Sequence, residues 1–93
     1  MKNRYFKGEK LVISGKLTDD DVEVSDYRMA VRVIDSLKGH QLAELPLTLE
    51  DGTYFIDFDT KKYTGKLFLR FIAYNSDNDE FVVSNNDIPI NIQ

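Results

Sequence analysis

Histidine and cysteine, which supply many catalytic and metal sites, are scarce in this chain. It has one histidine, His40, and no cysteine. His40 lies in a Lys38-Gly39-His40 turn, which favours an exposed position, and no nucleophile-elbow motif is present to support a Ser-His-Asp site. The absence of cysteine excludes disulfides, thiolate metal sites and cysteine nucleophiles, and one histidine is too few for a usual zinc site. The glycines form neither a Walker loop nor a dinucleotide fingerprint.

Carboxylates are the other candidates for chemistry, and they form three clusters. The clusters are Asp19–Asp21 with Glu23, Asp57 with Asp59, and Asp77 with Asp79 and Glu80. The first and third place carboxylates at alternate positions, as in many calcium sites, but neither continues with the glycine and distant glutamate of an EF-hand. Charged, soluble turns explain them more simply, and calcium between the loops stays open as an alternative. Asp57 and Asp59 share a strand face, where paired carboxylates could act on glycosides, yet a solvent face is the simpler explanation. We therefore predict a non-enzymatic protein with no catalytic residue, metal site or cofactor.

The size and charge of the chain narrow its class. Its 93 residues fit one domain, which we place at residues 1–93. The hydrophobic fraction of 42% is that of a soluble globular protein, and the net charge of −4 argues against a nucleic-acid partner. No apolar run is long enough for a signal peptide or a membrane span, so we expect no membrane association. We interpret the chain as a complete small protein, with a domain cut from a longer protein as the alternative.

The hydrophobic residues recur with period two, which is the pattern of β-strands. Residues 27–34 show it most clearly, because four apolar residues alternate there with Arg28, Ala30 and Arg32. Asp51-Gly52 is a strong hairpin signal, since glycine adopts a positive φ without steric cost. Strands are expected at residues 10–18, 27–34, 41–49, 53–58, 66–74, 80–84 and 88–92, separated by polar turns that include Asp19–Asp21 and Asn85–Asp87.

These strands predict an all-β fold, an immunoglobulin-like β-sandwich of about seven antiparallel strands. Most turns recur about every 8–12 residues, and no stretch shows a convincing helical period. Pro46 and Pro89 cannot donate to a ladder, so their strands are expected at sheet edges. A closed barrel has no edges, which favours the sandwich over a barrel.

The fifth predicted strand is apolar on both faces. If Leu67, Leu69 and Phe71 fill the core, then Phe68, Ile72 and Tyr74 point outward and need cover. Outward positions are also expected for Phe55, Ile34 and Leu42. One interpretation is a patch that binds a partner or a second copy. The alternative is that the N-terminal segment covers the strand with Tyr5 and Phe6.

Two stretches resemble known modules. Residues 5–15 (YFKGEKLVISG) resemble the opening strand of many bacterial immunoglobulin-like modules, and residues 51–54 followed by 63–67 (DGTY and YTGKL) resemble their later hairpin. Small immunoglobulin-like proteins of phage tails and baseplates share this plan, with a valine–arginine–valine strand whose place is taken here by residues 30–36 (AVRVIDS). The opening strand is also similar to that of macroglobulin-type domains, a weaker match.

The resemblance implies a structural role and supplies no catalytic residue. We therefore predict a phage or prophage virion component of the tail or baseplate, present in the host cytoplasm during assembly and then in the virion. It is expected to act through contacts with other proteins or with itself, using Phe68, Ile72 and Tyr74 with Arg28 and Arg32 at the rim. Truncation of Phe68 or Ile72 is then expected to weaken assembly and to leave the fold intact. The alternative is a binding module of a bacterial cell-surface or exported protein that recognises carbohydrate or protein.

Overall fold

The computed structural model describes residues 3–19, 22–24, 26–83 and 87–93. In these ranges the chain forms short β-strands and one turn of 3₁₀ helix, Thr60–Lys62, without any α-helix, which confirms the predicted all-β class. The strands are β1 (Arg4–Tyr5), β2 (Leu11–Gly15), β3 (Leu17–Asp19), β4 (Val22–Val24), β5 (Arg28–Asp35), β6 (Gln41–Pro46), β7 (Thr48–Glu50), β8 (Thr53–Phe58), β9 (Gly65–Tyr74), β10 (Glu80–Val82) and β11 (Ile88–Ile92).

The strands form two main sheets. The larger sheet has the order β1-β11-β9-β5-β6, and β10 pairs with β9 beyond the end of β11. The smaller sheet has the order β2-β8-β7, and β3 with β4 forms a separate hairpin. The ladders are antiparallel, as predicted, except that β1 runs parallel to β11.

The core lies between the two sheets. Alternate residues of β5, β9 and β11 point toward the smaller sheet, whose Leu11, Ile13 and Phe58 point back. Both sets belong to one buried cluster, so the sheets pack face to face. The larger sheet contributes Tyr5, Val31, Val33, Leu67, Leu69, Ile90 and Ile92 to this cluster. A second, smaller cluster contains Leu17, Met29, Tyr54 and Ala73.

Pro46 lies where the chain passes from one sheet to the other. It ends β6, which among the described strands pairs only with β5 at the edge of the larger sheet, and β7 then joins the smaller sheet. The Leu47 N–H donates to the Met29 carbonyl over 2.9 Å. Since backbone N–H groups alternate in direction along a strand, the Pro46 nitrogen points away from β5 and its missing hydrogen removes no ladder bond. The edge position predicted for this strand is confirmed.

Pro89 occupies a strand that is only partly an edge. β11 lies between β9 and β1, but β1 pairs only with Asn91 and Ile92. The Asn91 N–H donates to the Asn3 carbonyl over 2.7 Å, on the side away from β9. Pro89 lies two residues earlier in the same strand, so its nitrogen also points away from β9. On that side of β11, no described strand pairs with Pro89. The predicted edge is therefore correct for the part of the strand that contains Pro89 and wrong for the rest.

Each predicted strand corresponds to an observed one, but two of them are broken. The first breaks at Lys16, since β2 pairs with β8 whereas β3 pairs with β4. The third breaks at Leu47, where the chain changes sheets. Strands β1 and β4 were not predicted, and the turn expected from Asp19 begins later because Asp19 pairs with Val22. The apolar alternation continues through both breaks, so it does not reveal a change of pairing partner.

The predicted Asp51-Gly52 hairpin is confirmed. It joins β7 to β8, with Glu50 opposite Thr53. Asp51 has φ of 50° and Gly52 has φ of 77°. Two consecutive positive φ angles are those of a type I′ turn, whose twist matches that of the flanking strands. This turn sets the register that brings Tyr54, Ile56 and Phe58 toward the core.

Candidate functional site

The candidate site is the outer face of the larger sheet, meaning the face turned away from the smaller sheet. Its side chains stand in rows that cross the strands, and the strand register defines each row. In order along β9 the rows are Arg28–Tyr74–Glu80, Pro46–Ala30–Ile72–Val82, Glu44–Arg32–Arg70, Ile34–Phe68–Pro89 and Lys66–Asn91–Arg4. All five residues predicted to touch a partner, Phe68, Ile72, Tyr74, Arg28 and Arg32, lie on this face.

Arg32 is the centre of a charged network on the outer face. Its Nε donates to Glu44 Oε1 over 2.8 Å, one guanidinium nitrogen donates to the Tyr74 hydroxyl over 3.3 Å, and the same nitrogen pairs with Glu80. The Tyr74 hydroxyl in turn donates to Glu44 Oε1 over 2.9 Å. Arg28 stacks on the Tyr74 ring, with its guanidinium carbon 4.2 Å from the ring centroid. These side chains thereby connect four strands, β5, β6, β9 and β10.

The network crosses a buried row of the outer face. Arg32 starts in one row and reaches Tyr74 and Glu80, which stand two rows away. The row between them holds Ala30 and Ile72, which are only 2% and 0% exposed although they face outward. The aliphatic stem of an arginine can cover apolar surface while its charged end stays solvated. From this geometry we infer that the Arg32 side chain covers Ile72.

Two predictions about this face are corrected by its burial. Ile72 was expected to be exposed to a partner, but its side chain is inaccessible, being 0% exposed. The N-terminal segment was the alternative cover, yet Tyr5 belongs to the core and Phe6 is 64% exposed. β1 instead extends the larger sheet beside β11, which places Tyr5 between the sheets. The cover is thus provided by charged side chains of the sheet itself.

A second ion pair lies beside the network. Arg70 donates two hydrogen bonds to the carboxylate of Asp87, over 2.9 and 2.8 Å, in the bidentate geometry that favours arginine. The hydrogen bond from Arg70 lowers the pKa of Asp87, and the hydrogen bond from Arg32 lowers that of Glu44. Both carboxylates are therefore held in the charged form. Neighbouring Arg32 and Arg70, which face each other across β5 and β9, are each neutralised by an acid.

The row Ile34–Phe68–Pro89, which follows the Arg32 and Arg70 row along β9, is the apolar part of the outer face. Ile34 and Phe68 are half-buried neighbours on β5 and β9, and Pro89 beside them is exposed. Leu42, on the edge strand β6, is 50% exposed. A register shift between Val33 and Ile34 brings Gln41 opposite Ile34 and leaves Leu42 as the extra residue of a bulge. Apolar side chains and a fixed charged network thus lie next to each other on one sheet face.

Among the described residues, the side chains considered for chemistry do not assemble into a site. His40 is exposed in its turn, as predicted. Asp59 caps the 3₁₀ turn by accepting from the Lys61 N–H over 3.0 Å, and Asp79 is held by the side chain of Asn75. Within the described ranges, no group of three or more His, Cys, Asp or Glu side chains could hold a metal ion. Asp20 and Asp21 of the first acidic cluster lie outside the described residues, as do Ser84 and the predicted turn residues Asn85 and Asn86.

Sequence reasoning did not identify Glu44, Arg70, Glu80 and Asp87 as parts of the outer face. The outward parity of Glu44, Arg70 and Glu80 was available from the alternation in β6, β9 and β10, whereas Asp87 precedes β11 and lies in none of these strands. Their partners were not available, because each ion pair depends on which segments lie side by side. Arg32 on β5 reaches Glu44 on β6 and Glu80 on β10, and Arg70 on β9 reaches Asp87. Thr60 was also not identified. It is buried, accepts from the Gly8 N–H over 2.9 Å and donates to the Glu9 carbonyl over 2.8 Å, which fixes the N-terminal loop to the 3₁₀ turn.

Comparisons with protein-family models, with curated proteins and with solved structures find no significant match to this chain. In the part of the chain that the structure describes, no helix is long and apolar enough to cross a membrane.

Proposed function

We propose that this chain is an immunoglobulin-like β-sandwich that acts as a non-enzymatic structural or assembly protein. Its outer face would dock on other proteins or on a second copy. The observation that carries the proposal is the composition of this face, where apolar side chains adjoin a network of arginines held in fixed positions. Aromatic residues and arginines are the types enriched at protein interfaces.

The strand order supports the immunoglobulin-like part of the proposal. In such sandwiches one sheet contains strands C′, C, F and G, and the other contains B, E and D. The orders β6-β5-β9-β11 and β2-β8-β7 agree with this plan when β2 is taken as strand B. The passage from β6 in one sheet to β7 in the other then corresponds to the step from C′ to D. A first strand paired with β2 is missing among the described strands, and β1 lies beside β11 instead.

The exposure of side chains on the outer face, and the fixed positions of its arginines, support a binding role. Several large residues contribute accessible surface. Among them Phe68 and Tyr74 are half-buried, Leu42 is half-exposed, and Arg28 is exposed. Arg28 and Arg32 are already positioned by Tyr74 and Glu44, so little side-chain entropy is lost when a partner binds. Ile72 contributes from beneath by holding the surface in shape. The partner contacts are thus proposed for Phe68, Tyr74, Arg28 and Arg32.

The phage or prophage setting rests on the resemblance of residues 5–15, 30–36, and 51–54 followed by 63–67, to small tail and baseplate proteins. A virion component would be found in the host cytoplasm during assembly and later in the particle. The genes beside this one provide a direct check. Neighbouring capsid and tail genes are expected, and their absence would remove this setting while leaving the binding face untouched.

The first experiment is the solution mass by light scattering over a wide range of protein concentrations. A stable oligomer is expected to dissociate when Phe68 is replaced by alanine. Phe55→Ala is the matched control, because Phe55 is also half-buried but lies on the outward side of the smaller sheet. Equal dissociation by both variants would contradict a role for the outer face. A strict monomer at every concentration would exclude self-association and leave docking on a different protein.

A further inference from the structure

The row Lys66–Asn91–Arg4 at one end of the outer face differs from the other rows in its charge. Register places these residues side by side on β9, β11 and β1. Lys66 and Arg4 are therefore two strand spacings apart, about 10 Å, with the Asn91 amide between them. All three side chains lie on the same outer face.

In the part of the chain that the structure describes, the two cations of this row have no carboxylate partner. Arg32 and Arg70 on the same face are neutralised by Glu44, Glu80 and Asp87. Within the described residues, neither Arg4 nor Lys66 forms an ion pair or a side-chain hydrogen bond. This is unexpected in a chain with a net charge of −4 and sixteen acidic residues. A carboxylate between the two cations would be attracted to both and could accept from the amide of Asn91.

The surface next to this row is apolar. Arg4, Lys66, Phe68, Pro89 and Asn91 line one open depression of about 220 Å³. Phe68 and Pro89 form its apolar part, and this part continues along the neighbouring row to Ile34. The depression therefore combines a positive rim with an apolar floor.

We propose that this depression binds a carboxylate that is joined to an apolar group, presented by the protein partner of the outer face. The inference rests on the proposed function and specifies the chemistry of the partner at one end of that face. A protein source is favoured over an acidic sugar because the apolar floor continues into the rest of the outer face through Ile34. A polyanion such as nucleic acid is disfavoured by the negative charge of the chain.

The test is a titration of the ¹⁵N-labelled full chain, followed through its amide resonances. The probe is N-acetylphenylalanine, which joins a carboxylate to an aromatic ring, and the reference is uncharged N-acetylphenylalaninamide. Saturable shifts at Arg4, Lys66, Phe68 and Asn91 are expected with the acid. The dissociation constant should be at least tenfold higher for the amide than for the acid, since the carboxylate is the group that the cations recognise.

The variant Arg4→Gln/Lys66→Gln should weaken binding of the acid by a similar factor. Lys62→Gln is the control, because Lys62 is exposed but lies in the 3₁₀ turn outside the depression. Equal shifts by acid and amide, or the absence of saturable shifts up to the solubility limit of the acid, would overturn the inference. Tighter binding of glucuronate at the same residues would overturn the choice of a protein source. A protein that oligomerises through Phe68 but fails to bind the acid would lose this inference alone.

Discussion

Replacing Ile72 with alanine tests whether the arginine network really buries an outward-facing residue. Ile72 is 0% exposed, although it lies on the side of the sheet turned away from the core. Removal of a fully buried isoleucine side chain usually costs about 2–5 kcal/mol of unfolding free energy. The long Arg32 side chain can settle into the space that is left, so the lower half of this range applies and a loss of about 2–3 kcal/mol is expected.

Urea unfolding followed by circular dichroism measures this loss directly. The slope of the transition is about 1 kcal/mol per molar urea for a domain of this size, so the midpoint should fall by about 2–3 M. In a thermal scan the same loss corresponds to about 10–20 °C in Tm. Ile34→Ala is the matched control, because Ile34 faces the same way but is only half-buried, and it should lose about half as much free energy.

A loss below about 0.5 kcal/mol for Ile72→Ala, which is typical of surface substitutions, would refute the covering role of Arg32. So would equal losses for Ile72→Ala and Ile34→Ala. If Ile72→Ala kept its stability but weakened an oligomer, Ile72 would be a contact residue, as its outward parity alone suggested. The stability measurement therefore separates a structural role of Ile72 from a binding role.

Three further predictions follow from the network and the turns. Arg32→Ala should lower the unfolding free energy by about 1–2 kcal/mol, whereas Arg32→Met should retain much of the cover; equal losses would assign the whole effect to charge. Glu44 and Asp87 have pKa values below their ordinary 4.5 and 3.8 in the folded state, so their contribution is present at neutral pH and is lost as pH falls below those values. The urea midpoint should therefore fall as the pH is lowered below those values, and Glu44→Gln should reduce this fall. The same pH dependence of the midpoint in Glu44→Gln and in the unaltered chain would contradict the pairing with Arg32. Gly52→Ala should lower the unfolding free energy by about 1 kcal/mol or more, because the φ of Gly52 is 77°. Gly15→Ala is the control and should be nearly neutral in the same unfolding assay, because Gly15 has no positive φ and the added Cβ meets open space.

The local features of this fold were predictable from the sequence. The alternation in residues 27–34 and 66–74 identified the two central strands and assigned Val31, Val33, Leu67 and Leu69 to the buried side. Asp51-Gly52 identified the hairpin. These predictions succeed because strand periodicity and turn conformation depend on residues that are adjacent in the chain. The same parity argument placed all the predicted partner residues on one outward face.

What parity could not provide was the identity of the neighbours across the sheet. It predicted an exposed Ile72, whereas Ile72 is buried in the row that Arg32, forty residues earlier in the chain, crosses to reach Tyr74. The same limitation concealed the breaks at Lys16 and Leu47, where the chain changes its pairing partner without changing its pattern.

The sequence by itself therefore determined that the chain is built of strands, where most of them lie, and which side of each strand is apolar. Only the tertiary structure decided which strands are adjacent, which of the outward residues are covered, and which cations have acidic partners. The physical reason is that the side chain's direction is set by its own strand, whereas its burial and its charge environment are set by strands that are distant in the sequence and adjacent only after the sheets form.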